Sequence, residues 1–273
     1  MAWTLDSIAD GMQNWGDFQK TTGTMEAIGV LHSLWYAAGR PGAAAAPTPG
    51  LAGAALSSTS AQVAGQLPFY DPVSGESKLA KLGCTAALAG TLLLCDRLWH
   101  NSGFTSTTTT AQTVNSTAWP ARDVDGAVTG NDVMIGLEVS TATTNGSAVS
   151  NCTLSYDDLS GAGKTATTAY NIPATAAVGT FVPFNLAAGD AGVQQVNSLT
   201  LGTSLGTGVV HLVAYRVLDR LPIYGAGGGN NHDAIATGFK RLWDGTVPFM
   251  LWNPTATTSL FLSGFMGVTQ GAG

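Results

Sequence analysis

The chain has 273 residues, enough for one large domain or two modest ones, and 45% of them are apolar. Only 10% are charged, well below the roughly 25% of an ordinary soluble domain, and the net charge is −6. Its eleven Lys and Arg form no cluster, which leaves no basic face for nucleic acid, and so little charge suits a surface covered by partners.

Taken in chain order, the first hundred residues read as helix and loop. The N-terminus carries Asp6 and Asp10 and has no uninterrupted apolar run, so no secretory signal is expected. "TLDSIADGMQNW", residues 4–15, predicts a helix capped by Thr4, with Leu5, Ile8, Met12 and Trp15 on one face. "TMEAIGVLHSLWYAAGRP", residues 24–41, repeats that grammar: Ile28, Leu31, Leu34 and Trp35 form a stripe, and Gly39 and Pro41 stop it. Residues 39–66 are rich in Pro, Gly and Ala and read as an arm, either laid across a neighbouring subunit or disordered.

"SKLAKLGCTAALAGTLLLCDRLWHNSG", residues 77–103, predicts a third helix with Arg97 and His100 in its last turns. Its apolar run, 82–95, is shorter than the roughly 20 residues that span a bilayer, so it reads as buried helix and no membrane association is expected. Cys84 and Cys95 would share a face of that helix. With Cys152 they make an odd set without a C-x-x-C pair, which reads as reduced, buried thiols and neither a disulfide framework nor a zinc site.

After a Thr-rich stretch, 105–110, the period changes to two. Strands are predicted at 133–140, 151–157, 164–172, 179–186, 193–202, 208–218, 247–252 and 259–269, separated by Gly, Asn, Asp and Pro. The expected fold class is therefore α+β. A helical N-terminal assembly region, 1–104, would precede an antiparallel, jelly-roll-like β-sandwich, 105–273.

Three motifs invite chemistry and each fails in context. "GAGKT", 161–165, resembles a phosphate-binding loop, but the pattern G-x-x-x-x-G-K-[ST] puts Asp158 where its first glycine belongs. A β-prone run also follows where a helix should open. The better reading is a hairpin, with Gly161 and Gly163 in the turn. "GTSLG", 202–206, matches the nucleophile pattern of esterases, with Asp219 and His232 downstream in the right order. A strand follows Ser204 where a helix is needed, so a hairpin turn is expected. "DVDGAVTGND", 123–132, carries acids, but Gly126 comes early and no Glu closes a calcium loop, which favours a turn.

His32, His100, His211 and His232 are scattered, without metal-ligand spacing. No catalytic, metal-binding or cofactor-binding residue is expected. Of the seven Trp, Trp35, Trp99, Trp243 and Trp252 read as core, whereas Trp3, Trp15 and Trp119 are candidate interface residues.

"LHSLWYAAGRPGAAAAP", "CDRLWHNSGF", "TAQTVNSTAWPARD", "VVHLVAYRVL" and "FKRLWDGTVPFMLWNP" together resemble a group of tailed-bacteriophage virion proteins, from about residue 24 to the C-terminus. The resemblance implies a non-enzymatic structural protein of the virion, assembled in the host cytoplasm. The favoured role is capsid decoration or cement, with the major capsid protein and copies of itself, guessed as a trimer, as partners. It implies no catalytic or ligand residues. The alternatives are the main shell subunit, a tail, neck or fibre protein that binds host glycan, and an esterase at Ser204.

Overall fold

The computed structural model describes residues 3–271, except for the side chains of residues 13–15. One short helix, α1 (Leu5–Asp10), opens the described chain, and all other regular structure is strand. The first third holds β1 (Met12–Thr21), β2 (Leu31–Ser33), β3 (Ala38–Arg40), β4 (Ala54–Ala55), β5 (Glu76–Ala86) and β6 (Gly90–His100). The middle holds β7 (Gln112–Thr113), β8 (Met134–Thr141), β9 (Thr153–Asp157), β10 (Gly163–Thr168), β11 (Thr180–Asn185) and β12 (Gln195–Thr200). The last part holds β13 (Val209–Ile223), β14 (Gly229–His232), β15 (Arg241–Leu242), β16 (Pro248–Pro254) and β17 (Phe261–Gly271).

Strand pairing closes a ring. β2, β16, β6, β13, β8 and β11 pair in that order, and β11 pairs back onto β2, which makes a six-stranded antiparallel barrel. Closure leaves these strands no free edges. From β11 the sheet continues outward through β10, β9, β12 and β7. A separate sheet, β14-β5-β17-β1-β3 with β15 beside β5, lies against the barrel's other side.

Three cores follow from this layering. Leu31, Leu93, Cys95, Phe181, Val213, Tyr215, Phe249 and Leu251 come from five of the six barrel strands and fill its interior. Leu79, Leu82, Cys84, Leu262 and Met266 of the separate sheet pack on Leu92, Leu94, Leu221 and Trp252 of the barrel. Ile135, Leu137, Val182 and Leu212, on the barrel's opposite outer wall, pack beneath Leu154, Tyr156, Val196 and Leu199 of the outward extension.

The expected helical N-terminal region is therefore overturned, and the α+β reading with it: the protein is nearly all β. Thr4 does cap a helix, reciprocally with Ser7, but the helix ends at Gly11 and β1 follows at once. The stripe at 24–41 is divided among different surfaces. Ile28 is exposed, Leu31 and Trp35 face the barrel interior, and Leu34 packs under the separate sheet.

The predicted helix over 77–103 is the β5–β6 hairpin. The pairing of β5 with β17 skips Ala80, so Leu79 and Leu82 point the same way at a helix-like spacing of three. The following "LLLC" is apolar without interruption because β6 is buried on both faces, Leu92 and Leu94 on one and Leu93 and Cys95 on the other. Cys84 and Cys95 accordingly lie on neighbouring strands of different sheets, both buried and unbonded.

The eight strands expected beyond residue 130 are present, as β8 to β13, β16 and β17, within a few residues of their predicted bounds. β9 and β10 pair antiparallel, with Lys164 opposite Tyr156. Gly161 sits in the turn at a φ of +79°, and Gly163 opens β10. Asp158, at the position a phosphate loop would give to glycine, organises the turn by accepting from the amides of Ser160 and Ala162. Lys164 begins no helix.

The Gly/Ala-rich arm folds onto its own chain. Ala44, Leu56 and Val63 pack against the interior core at the Trp35 end of the barrel, and the Leu56 amide bonds to the Leu98 carbonyl. Its glycines permit the close approach: a Cβ on Gly53 would overlap the Trp99 indole. The arm thus plugs one end of the barrel.

Candidate functional site

The end of the barrel opposite that plug is open. Its mouth is a cavity of about 1040 Å³. Leu31 of β2, Leu93 of β6, Met134 of β8, Pro183 of β11, and Tyr215 and Val217 of β13 line it with apolar surface. The antiparallel register brings these positions to one level of the barrel, with Asn253 beside Thr91 and Tyr215 beside Met134, and β13 runs on past that level to Ile223. Tyr170 ties the rim together: its hydroxyl donates to the Phe181 carbonyl (2.6 Å) and accepts from the Leu31 amide (2.8 Å). Mouths of barrels are recurrent ligand sites.

The ionisable groups at this rim are Asp132, Asp219, Arg220, His232 and Lys240. Asp219 is buried, and His232 Nδ1 stands 3.0 Å from its Oδ2. Two of the three esterase candidates are therefore partners. The third is not with them: Ser204 lies in the loop after β12, does not line the mouth, and accepts through Oγ from the Gly206 amide at 3.0 Å. The order Ser, Asp, His is present in the chain, but the fold does not assemble it.

Deeper in the barrel, beyond the mouth, is a fully buried ion pair. Arg97 on β6 donates to both carboxylate oxygens of Glu138 on β8, at 3.0 and 2.7 Å. Tyr36 donates to the same carboxylate, at 2.9 Å. The guanidinium also lies over the Trp35 ring at 4.4 Å and near the Phe249 ring at 5.4 Å. Burial alone would raise the Glu138 carboxyl; Arg97 and the surrounding hydrogen bonds outweigh it and hold the group below its usual range.

Three histidines surround this pair. Burial lowers His32 to about 4, and burial with the neighbouring Arg97 charge lowers His100 to about 3. Burial also lowers His211, whose Nδ1 and Nε2 meet the Asn101 carbonyl (2.8 Å) and Ser140 Oγ (2.6 Å). All three are neutral packing groups at neutral pH. Burial likewise pushes the Cys84 and Cys152 thiols up to about 12 and leaves them inert.

The acidic loop 123–132 is a built turn. Asp123 Oδ1 accepts from the amides of Asp125 (2.9 Å) and Ala127 (2.7 Å), and its Oδ2 from Thr129 Oγ1 (2.7 Å) and the Gly130 amide (3.2 Å). Both oxygens are consumed by donors. Among the described residues no group of three His, Cys, Asp or Glu could hold a metal ion.

Of the candidate interface residues, Trp119 is buried in the core beneath the outward extension. It packs edge-on against Trp99 at 5.3 Å and donates to the Val193 carbonyl at 2.6 Å. Trp3 is half-buried and meets Phe239 edge-on at 5.2 Å. The Trp15 side chain lies outside the described residues. The mouth itself escaped sequence reasoning, because its apolar lining comes from five strands spread between Leu31 and Val217, each contributing one or two ordinary side chains. The Asp219–His232 pair was legible only as a chain order.

A second concavity, of about 680 Å³, lies on the outer face of the separate sheet. Phe265, with Lys81 over its ring at 5.5 Å, is set among Gln19, Arg40, Asn230, Asn231 and Ser263.

No family model matches this chain, and no curated protein matches it. Among solved structures, the infectious bursal disease virus VP2 subviral particle aligns over 97% of this chain and 82% of its own, at 10% identity and a TM-score of 0.20. The structure of the Gt strain of that virus aligns over 95% and 81%, at 11% identity and a TM-score of 0.20. The Gx strain gives 95% and 81%, at 9% identity and the same TM-score.

Proposed function

We propose that the chain is a non-enzymatic structural protein of a virus particle, and that it decorates and stabilises a capsid. The observation that carries this reading is the use to which its polar groups are put. Asp123, Asp158, Ser204 and Asn145 satisfy the chain's own turns, and Arg97–Glu138 and Arg122–Asp96 brace its interior. The chemistry is spent on holding one rigid shape. Low charge and the resemblance to tailed-bacteriophage head proteins support the same reading, with the major capsid protein and further copies, as a trimer, for partners. Repetition on a symmetric shell would convert modest contacts into high avidity.

The test is copy number and position in purified particles, by quantitative mass spectrometry and cryo-electron microscopy. Hundreds of copies over the shell are expected. About six or twelve copies, at a vertex or tail, would replace decoration with a neck or tail role. The groove that Gln19 and Asn231 line favours that second reading: side-chain amides on a concave face are chemistry that holds a sugar, so glycan-array binding lost on Gln19→Ala with Asn231→Ala would support a fibre. Hydrolysis of short acyl esters, abolished by Ser204→Ala, would overturn the non-enzymatic reading.

A further inference from the structure

The barrel mouth has a feature that a shell-binding role does not require. Its ionisable groups make unequal contacts. Asp219 Oδ2 lies 3.0 Å from His232 Nδ1. Asp132 is close enough to the buried Arg216 to favour that cation. Arg220 forms no ion pair and no side-chain hydrogen bond among the described residues, and Lys240 Nζ meets only the Val217 carbonyl, at 3.4 Å. Both cations line the cavity. Arg220 stands opposite Leu93 in the register of β13 and β6, at the level of the mouth. Two unmatched cations thus stand over a floor of Leu31, Leu93, Met134, Tyr215 and Val217.

We infer that the mouth binds a small amphiphilic anion, a carboxylate with an aliphatic body. The body would lie on Leu93, Met134 and Val217, and the carboxylate would meet Arg220 and Lys240. The cavity of about 1040 Å³ is at the upper end of ligand pockets, roughly 300–1,000 Å³, so it admits a chain-length molecule. Burying the apolar body supplies affinity, and a bidentate guanidinium–carboxylate contact supplies selectivity for the anion. The site is independent of the decoration role, and either can fail without the other.

Dodecanoate below its micellar concentration is the probe, titrated into the full chain by isothermal calorimetry. One molecule per chain should bind, at least about tenfold more tightly than dodecyltrimethylammonium, which has the same body and the opposite charge. Acetate, which lacks the body, should give no saturable heat. Arg220→Gln with Lys240→Gln alters two exposed side chains, so the fold should persist, as a thermal melt will check. That variant should weaken dodecanoate by about tenfold or more and leave the cationic amphiphile unchanged or tighter. Absence of saturable dodecanoate binding overturns the inference, as does equal affinity for both charges or equal affinity of the variant. Capture by phosphatidylglycerol vesicles without binding of monomeric dodecanoate overturns it also, in favour of a membrane surface.

Discussion

Gly136 on β8 shows how finely the barrel interior is fitted at the scale of one residue. A Cβ there would overlap the ring of Phe181, which crosses the interior from β11. Gly136→Ala should therefore destabilise the protein by about 1–3 kcal/mol, read as a lower denaturation midpoint with an unchanged slope. The Arg97–Glu138 pair makes a sharper test, since both side chains are fully buried. Arg97→Met leaves an uncompensated carboxylate inside the barrel and should cost about 3–5 kcal/mol. Arg97→Met with Glu138→Leu removes both charges and should recover most of that loss in a double-mutant cycle. The histidines set a pH dependence. Their folded pKa values are depressed, to about 4 for His32 and about 3 for His100. Their contribution is complete above the unfolded value, near 6.5, and is lost as pH falls below it, because the unfolded chain takes up protons that the fold refuses. The melting temperature should fall steadily from pH 6.5 towards 4, and His32→Gln should flatten that slope.

At the scale of elements, the strands of the second half announce themselves and those of the first half do not. β9, β10 and β12 have one face in the core and one in water or half-covered, so they alternate. β6 is buried on both faces and β5 carries a bulge, and either effect erases the period of two. The result imitates a helix in composition and in spacing. The arm, 39–66, misleads in another way. Its Ala and Gly look like the residues of a loose tether, yet Gly53 and Gly65 are small because Trp99 and Trp35 lie against them. Gly53→Ala combines that overlap with a φ of +68° and should loosen the plug, which limited proteolysis within 39–66 will detect as faster cleavage.

At the scale of the whole molecule, residues on either side of 104 are interleaved. β6 lies between β16 and β13, and β1 lies between β17 and β3. A fragment of residues 105–273 lacks two barrel strands, β2 and β6, and the three strands β5, β1 and β3 of the separate sheet, including both neighbours of β17. It should show no cooperative thermal transition by near-ultraviolet circular dichroism, where the full chain melts in one. The sequence by itself determined much of the local grammar: the Thr4 cap, the strands beyond residue 130, the hairpin around Gly161 and the buried, unbonded cysteines. Each depends on neighbours within about ten residues, where propensity, periodicity and turn chemistry act. Only the tertiary structure decided that the first hundred residues are strands, that six strands close a ring, and that one end is plugged and the other open. Those outcomes depend on which distant surfaces bury one another. β6, covered on both faces, keeps no period of two, and a cavity built from one or two side chains of each of five strands leaves no motif in any of them.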